Sequence, residues 1–234
     1  MVDGSVRLES GVVLMHRVSL NGPLTIGRDT VIYPGACIGY APQDLKFARD
    51  EDGAGTIIGE RNVLREGVTI HRATKDMPTT LGDDNYLMAN SHLGHDVVVG
   101  NSCMIANGAL LAGHVNMADK VVVGGNAAIH QFVRIGRLAI ISGMAPITQD
   151  VTPFSMVYRT GELRALNLVG LRRNGLREHI DPLKRALRYA FHDGLPTPKA
   201  VELIESNLAD DVLCQEFAAF IKGTQRGLQS GGRS

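Results

Sequence analysis

Every sixth residue from Leu81 to Ile147 is aliphatic or methionine: Leu81, Leu87, Leu93, Val99, Ile105, Leu111, Met117, Val123, Ile129, Ile135, Ile141 and Ile147. About half of the residues in an average domain are apolar, so an unbroken run of this length is far outside chance. An α-helix returns to one face every ~3.6 residues and a strand every two, and neither gives a period of six. A hexad period predicts a parallel β-helix, in which short strands wind into flat-sided coils. Two shorter runs keep the same spacing upstream: Leu8, Leu14, Leu20, Ile26, Ile32 and Ile38, then Ile58, Leu64 and Ile70. The three runs make up about seven coils at three hexads per turn. Residues 18 apart then stack in adjacent coils, so the sequence can be read as columns. Glycine often follows the aliphatic position, as at Gly27, Gly39, Gly59, Gly82, Gly100, Gly124 and Gly136. The expectation is that these are corners that need positive φ.

Two interruptions break the period, at about residues 39–57 and 71–80. Each is too long for a corner and reads as an inserted loop, the kind of segment that often carries function. After Asp150-Val151-Thr152-Pro153 the hexads stop and a helical spacing takes over. Leu183, Leu187, Ala190 and Phe191 fit one helix face. Val201, Ile204, Leu208 and Val212 fit another, continued by Phe217, Phe220 and Ile221. Pro182 and Gly194 punctuate the first of these helices. The organisation expected is a β-helix over 1–152 and a helical domain over 153–234 that caps its open end.

Composition narrows the function classes. Lys plus Arg equals Asp plus Glu, 24 each, so no net charge draws the chain to nucleic acid or to a membrane surface. No apolar stretch is long enough to span a bilayer and no secretory leader opens the chain, so the expectation is a cytoplasmic protein. Cys37, Cys103 and Cys214 are far apart and lack metal-ligand spacing, which predicts reduced, structural thiols. One region departs from neutrality. Between Arg159 and Arg188 eight basic residues face three acids, an island suited to an acidic or phosphate-bearing partner.

The chemistry concentrates on one edge of the long run. His92, His95, His114 and His130 lie there, with His71 just before. Steps of 18 place His95, Gly113 and Gln131 in one column and set Asp96 above His114. A neutral imidazole can accept a hydroxyl proton, and an adjacent carboxylate can orient it and stabilise the imidazolium. A glycine one coil away offers an unobstructed backbone N–H to an oxyanion. Base plus oxyanion donor suits acyl transfer to a hydroxyl supplied by the substrate. The residues alone leave two rivals open: zinc held by several histidines, as in a carbonic-anhydrase-like hydrolyase on the same scaffold, and a non-catalytic solenoid that only binds.

Six segments carry a resemblance. Gln43–Phe47 (QDLKF), Thr69–Thr74 (TIHRAT), Asn90–Asp96 (NSHLGHD), Leu111–Val115 (LAGHV), Ile129–Phe132 (IHQF) and Thr224–Leu228 (TQRGL) resemble the UDP-N-acetylglucosamine O-acyltransferase family of lipid A synthesis, in order and spacing. The resemblance implies a mainly β fold, a left-handed parallel β-helix with a C-terminal α-helical domain, assembled as a homotrimer with sites between subunits. It implies transfer of a 3-hydroxyacyl chain from acyl carrier protein to the 3-hydroxyl of UDP-N-acetylglucosamine, without cofactor or metal. His95 is then the general base, Asp96 its partner and Gly113 the oxyanion donor. Asp44 and His114 face the acyl donor, with Lys46 beside them. His71, His92, His130 and Gln131 line the nucleotide-sugar site, Asn167 and Arg173 stand near the phosphates, and Gly143 measures the acyl chain. Val169 stands where the family pattern has an acid and Asn174 where it has a second basic residue, so an amino-sugar acceptor acylated on nitrogen is the near variant. The family also carries more coils ahead of the one that holds Leu8.

Overall fold

The computed structural model describes residues 1–48 and 51–229; positions 49–50 of the first expected loop and 230–234 of the expected helical domain lie outside the described residues. The hexads form three sheets of eight, seven and nine strands, most of them two or three residues long. Among the described residues all strand pairings are parallel except that of Leu163–Leu166 with Ser155–Val157, and an isolated antiparallel bridge joins Gly55 to Ala73. The ladder steps by 18: His92 pairs with Leu110, Leu110 with Ala128, and Ala128 with Pro146. The two interruptions lengthen single coils and keep the hexad positions paired, with one local shift after Ile70, where His71 pairs with Tyr40. Cys37 pairs with Thr69 and Thr69 with His92, so those coils carry 14 and 5 residues beyond 18. Fixed register follows from one buried side per strand, because a slip by one residue would turn the aliphatic column outward.

The hexad positions point inward. Leu20, Ile38, Ile70, Leu93, Leu111 and Ile129 run down one sheet, each at most 2% exposed. Leu87, Ile105, Val123 and Ile141 run down another. A second set of small residues, such as Ala109, Ala127 and Ala145, fills the corners between these columns.

The glycine expectation needs correction. Of the seven glycines named for corners, only Gly39 has positive φ. The left-handed residue stands two positions later and is rarely glycine: Asp29, Arg61, Asp84, Ser102, Asn126 and Leu138. Glycine is needed for a different reason. A Cβ on Gly100 would lie 2.9 Å from the Ala118 backbone carbon in the next coil. Close stacking of coils at ~4.8 Å leaves no room for a side chain there. The left-handed corners cost roughly 1–2 kcal/mol each for non-glycine residues, a strain offset by the ladders on either side.

The sheets continue past 152. Ser155–Val157 and Leu163–Leu166 extend the third sheet, and Phe154 is fully buried beneath them. Among the described residues four α-helices follow, α1 (Leu168–Arg173), α2 (Ile180–Phe191), α3 (Thr197–Asn207) and α4 (Val212–Lys222), with a 3-10 turn at Arg177–His179. α2, α3 and α4 bury Leu183 and Leu187, Val201 and Ile204, and Phe217 and Ile221 against one another. Val212, expected on the α3 face, instead opens α4 and is exposed. Asp211 accounts for the break, since its Oδ1 accepts the N–H groups of Leu213 and Cys214 as an N-cap. The helices are tied to the prism by polar contacts. Arg134 bonds the buried Asp150 at 2.9 Å and the Phe220 carbonyl at 2.7 Å, and Arg137 bonds Glu216 at 2.7 Å.

Leu93→Ala should lower stability by about 2–5 kcal/mol through its cavity, whereas Val98→Ala, outward on the next face, should change it by about 0.5 kcal/mol or less. Denaturant midpoints decide the matter; equal shifts would contradict the inward assignment of the hexad positions.

Candidate active site

The corner after the eight-stranded sheet gathers the predicted residues. Asp96, His114 and Phe132 stack at intervals of 18 and all hold positive φ, at 59°, 61° and 65°. This backbone turns their side chains away from the core and along the outer ledge. Asp96 receives four hydrogen bonds. His95 Nδ1 lies 2.7 Å from Oδ2, Thr74 Oγ1 donates to Oδ2 at 2.7 Å, and the Thr74 N–H reaches both oxygens at 3.1 and 3.2 Å. Burial pushes the Asp96 carboxyl upward, but the bonds from His95 and Thr74 outweigh it and hold the group below the usual range. An ionised carboxylate only accepts, so His95 Nδ1 must donate. Its Nε2 is then the bare acceptor.

Gly113 lies directly under that atom. A Cβ built on Gly113 would fall 2.7 Å from His95 Nε2 and 2.6 Å from Cε1, so any side chain there would displace the imidazole. Among the described residues the Gly113 N–H donates to no other backbone group. The position therefore offers both a base and an unspent donor to one reacting centre.

A cavity of about 760 Å³ opens beside this pair and is lined by Gln43, Thr69, His71, His92, His95, Gly113 and Gln131, among others. The rings of His71 and His92 meet edge to face at 4.8 Å, and Thr69 Oγ1 sits 2.7 Å from His92 Nδ1. Burial, and then the neighbouring histidines, lower His71 to about 4 and move His92 in the same direction. Both are neutral at pH 7; His92 Nδ1 is engaged by Thr69, whereas His71 Nδ1 is buried with no hydrogen-bond partner among the described residues. His114 stacks on Phe132 at 4.5 Å and 6° and stands edge-on to His95. Burial lowers its basicity, and Asp96 partly restores it.

Other expected residues stand apart from the cavity. His130 is exposed and touches Arg226. Asp44 Oδ1 accepts the Lys46 N–H in a local turn of the first loop, and the Lys46 side chain points to solvent. Asp44 is near enough for its charge to raise His114. Gly143 lies on the opposite corner of the same sheet, against Gly125. Asn167 is 3% exposed, and its amide is spent on the Leu138 carbonyl and the Gly170 N–H as the N-cap of α1. Arg173 is exposed in the last turn of α1. Thr74, Thr69, Gln43 and Phe132 were not singled out from the sequence. Each lies inside a quoted segment, but only the fold shows which of its neighbours it meets.

His95, Asp96 and His114 place three potential ligand atoms within 4.8 Å of one another. The Asp96 oxygens are already committed to His95 and Thr74, so this set is built as a hydrogen-bond relay and fits a metal poorly.

Comparison with known proteins places the chain. A family model described as "Udp N-acetylglucosamine O-acyltransferase; Domain 2" matches residues 150–229, and a bacterial transferase hexapeptide model matches residues 78–113. The chain is 37% identical over 225 residues to the acyl-(acyl-carrier-protein)-UDP-N-acetylglucosamine O-acyltransferase of Campylobacter concisus, covering 94% of this chain and 85% of the relative. The chain belongs to the UDP-N-acetylglucosamine O-acyltransferase family. An Anaeromyxobacter member of the same description is 41% identical over 213 residues, covering 89% of this chain and 82% of its own. The solved UDP-N-acetylglucosamine acyltransferase of Bacteroides fragilis superposes with a TM-score of 0.91 at 32% identity, covering 97% of this chain and 89% of that one. A mirror-image coil could not superpose so closely, so the helix has the family's hand and is a left-handed parallel β-helix. The chain is an acyltransferase by membership. Among the described residues no helix is long and apolar enough to cross a membrane.

Neutral His71 is less basic folded than unfolded, so its contribution to stability is present above pH ~6.5 and is lost as pH falls toward about 4. His71→Asn should remove that loss: between pH 7.5 and 4.5 the parent should lose roughly 1–2 kcal/mol more than the variant. Denaturant melts at both pH values test this, and parallel losses would refute the assignment.

Proposed function

We propose that the chain transfers a 3-hydroxyacyl group from acyl carrier protein to the 3-hydroxyl of UDP-N-acetylglucosamine, the first step of lipid A synthesis. The observation that carries this reading is the His95–Asp96 bond with Gly113 beneath it, in a cavity of a family member. His95 Nε2 takes the proton of the sugar hydroxyl as its oxygen attacks the thioester carbonyl. Asp96 stabilises the imidazolium, and the Gly113 N–H donates to the oxyanion. Collapse expels the phosphopantetheine thiolate, which takes the proton back from His95. The products are the O-acylated nucleotide sugar and the free carrier thiol. A placed base is worth roughly 10²–10⁴ in rate and one oxyanion donor about 10²–10³, so no metal is required.

The remaining residues take supporting roles. His71, His92 and Gln131 line the sugar site from the cavity wall, with His130 at its lower end. His114, Asp44 and Lys46 meet the acyl donor. Gly143 leaves room for the far end of the acyl chain. Arg173 reaches the phosphates, and Asn167 serves them indirectly by fixing the helix that carries Arg173. The basic stretch between Arg159 and Arg188 complements an acidic carrier protein.

The active assembly is a homotrimer. What supports this is a column on the outer face of the nine-stranded sheet: Val13, Val31, Val63, Tyr86, Met104, Val122, Ile140 and Met156, with no charge among them. The corresponding column of the seven-stranded sheet includes Arg7, Thr25, Thr80, Asn116 and Arg134. A continuous apolar stripe on one of three otherwise similar faces is suited to another copy.

His95→Ala should lower transfer by at least about 10² with the fold retained, in an assay of acyl-carrier thioesters against UDP-N-acetylglucosamine and its 3-amino analogue. An active, folded variant would overturn the base assignment, preference for the amine would move the acceptor to nitrogen, and loss of activity with removal of bound zinc would favour the hydrolyase reading. Met104→Glu places a charge in the apolar stripe and should dissociate the trimer in sedimentation analysis; an unchanged trimer would move the interface elsewhere.

A further inference from the structure

The segment after α4 returns to the floor of the β-helix and is pinned there. Thr224 Oγ1 donates to Asp150 Oδ2 at 2.9 Å, the Asp150 N–H donates to the Gly227 carbonyl at 3.0 Å, and the Gln229 N–H donates to the Asp150 carbonyl at 2.8 Å. Gln149 Nε2 holds the Arg226 carbonyl at 3.2 Å. Asp150 is 1% exposed and also binds Arg134, so this anchor is part of the folded interior.

The result is a guanidinium in a definite place. Arg226 Nη2 lies 3.2 Å from the Thr148 carbonyl and 3.2 Å from His130 Nδ1, and Nε lies 3.4 Å from the same carbonyl. No carboxylate pairs with it among the described residues. Arginine carries five N–H donors, and the two on Nη1 have no partner among the described residues. The guanidinium cannot give up its proton, so its contact with His130 makes Nδ1 the acceptor. The Gln131 carbonyl, also 3.2 Å from Nδ1, is then a neighbour without a shared proton. His130 is left in its Nε2–H form, with that donor outward. Three unspent N–H groups, two of them on a cation, therefore sit together at the lower end of the ledge.

Position gives these donors a ligand. Gln131, next to His130, is two coils below His95 in the same column, or roughly 10 Å away at the sheet spacing. Phe132 and Arg226 line a second recess of about 580 Å³, and Gln131, the residue before Phe132, lines the main cavity. The carboxylate in that recess, Asp150, is saturated by Arg134 and Thr224 and does not oppose an anion. We infer that Arg226, with His130, binds the diphosphate of the nucleotide-sugar acceptor, a contact supplied by the segment that follows α4. This rests on the proposed acceptor.

The test separates the two claims. The parent is first assayed for acyl transfer and for binding of UDP and of uridine. With turnover established, Arg226→Gln should raise KM for UDP-N-acetylglucosamine by about 10- to 100-fold, with kcat and the KM of the acyl donor little changed. UDP should weaken as an inhibitor by a similar factor, whereas uridine, which has no diphosphate, should bind as before. Arg226→Lys should recover part of the loss, because it keeps the charge without the fork. Unchanged UDP affinity in a folded variant would overturn the Arg226 assignment and leave the acyltransferase reading intact. Equal weakening of UDP and uridine would also overturn it, since that is what a displaced tail would cause. Absence of turnover in the parent would instead defeat the acceptor on which the inference rests.

Discussion

The parallel ladder that locks each residue to the one 18 positions later is the constraint on which the rest depends. It turns a linear interval into a vertical distance of ~4.8 Å and leaves little freedom in between. Each coil contributes only six to nine ladder residues, so register is held jointly by the inward aliphatic column and by the close backbone approach at Gly82, Gly100 and Gly124. Without that approach the coils would separate, and Gly113 would no longer sit against His95.

The site exploits this lattice at the corner where a carboxylate, an imidazole and a phenyl ring stack in successive coils. Corners elsewhere carry Asp84, Ser102 or Lys120 in the left-handed conformation; here the same backbone carries Asp96, His114 and Phe132. The strain is therefore a property of every coil, and the site borrows it to aim groups outward. The first inserted coil places Gln43 over the cavity, and the second places Thr74 on Asp96. Insertions that keep register let the protein add walls to a site without disturbing the column beneath them.

Electrostatics divides the histidines by environment. His71 and His92 are buried among aliphatic and threonine neighbours and stay neutral, whereas His95 is paired with an ionised carboxylate. His130 Nδ1 accepts a hydrogen bond from Arg226. Four similar side chains within four coils thus present different donor and acceptor patterns. A polyhydroxylated, anionic acceptor requires that kind of variety.

Much of this was readable in advance. The hexads specified a β-helix, because no other regular structure repeats its buried positions every six residues. The interval of 18 brought His95, Gly113 and Asp96 together on paper. Local spacing did not reveal that the glycines serve coil contact, since φ and backbone clearance depend on the coil beneath. Nor did it show Thr74 on Asp96, the helix break at Asp211, or Arg226 at His130, 96 residues away in sequence. The periodic part of the chain encodes its own geometry, because each coil repeats the solution of the last. Where the period stops, in the loops, the cap and the tail, position is set by long-range contacts. Those the tertiary structure alone decides.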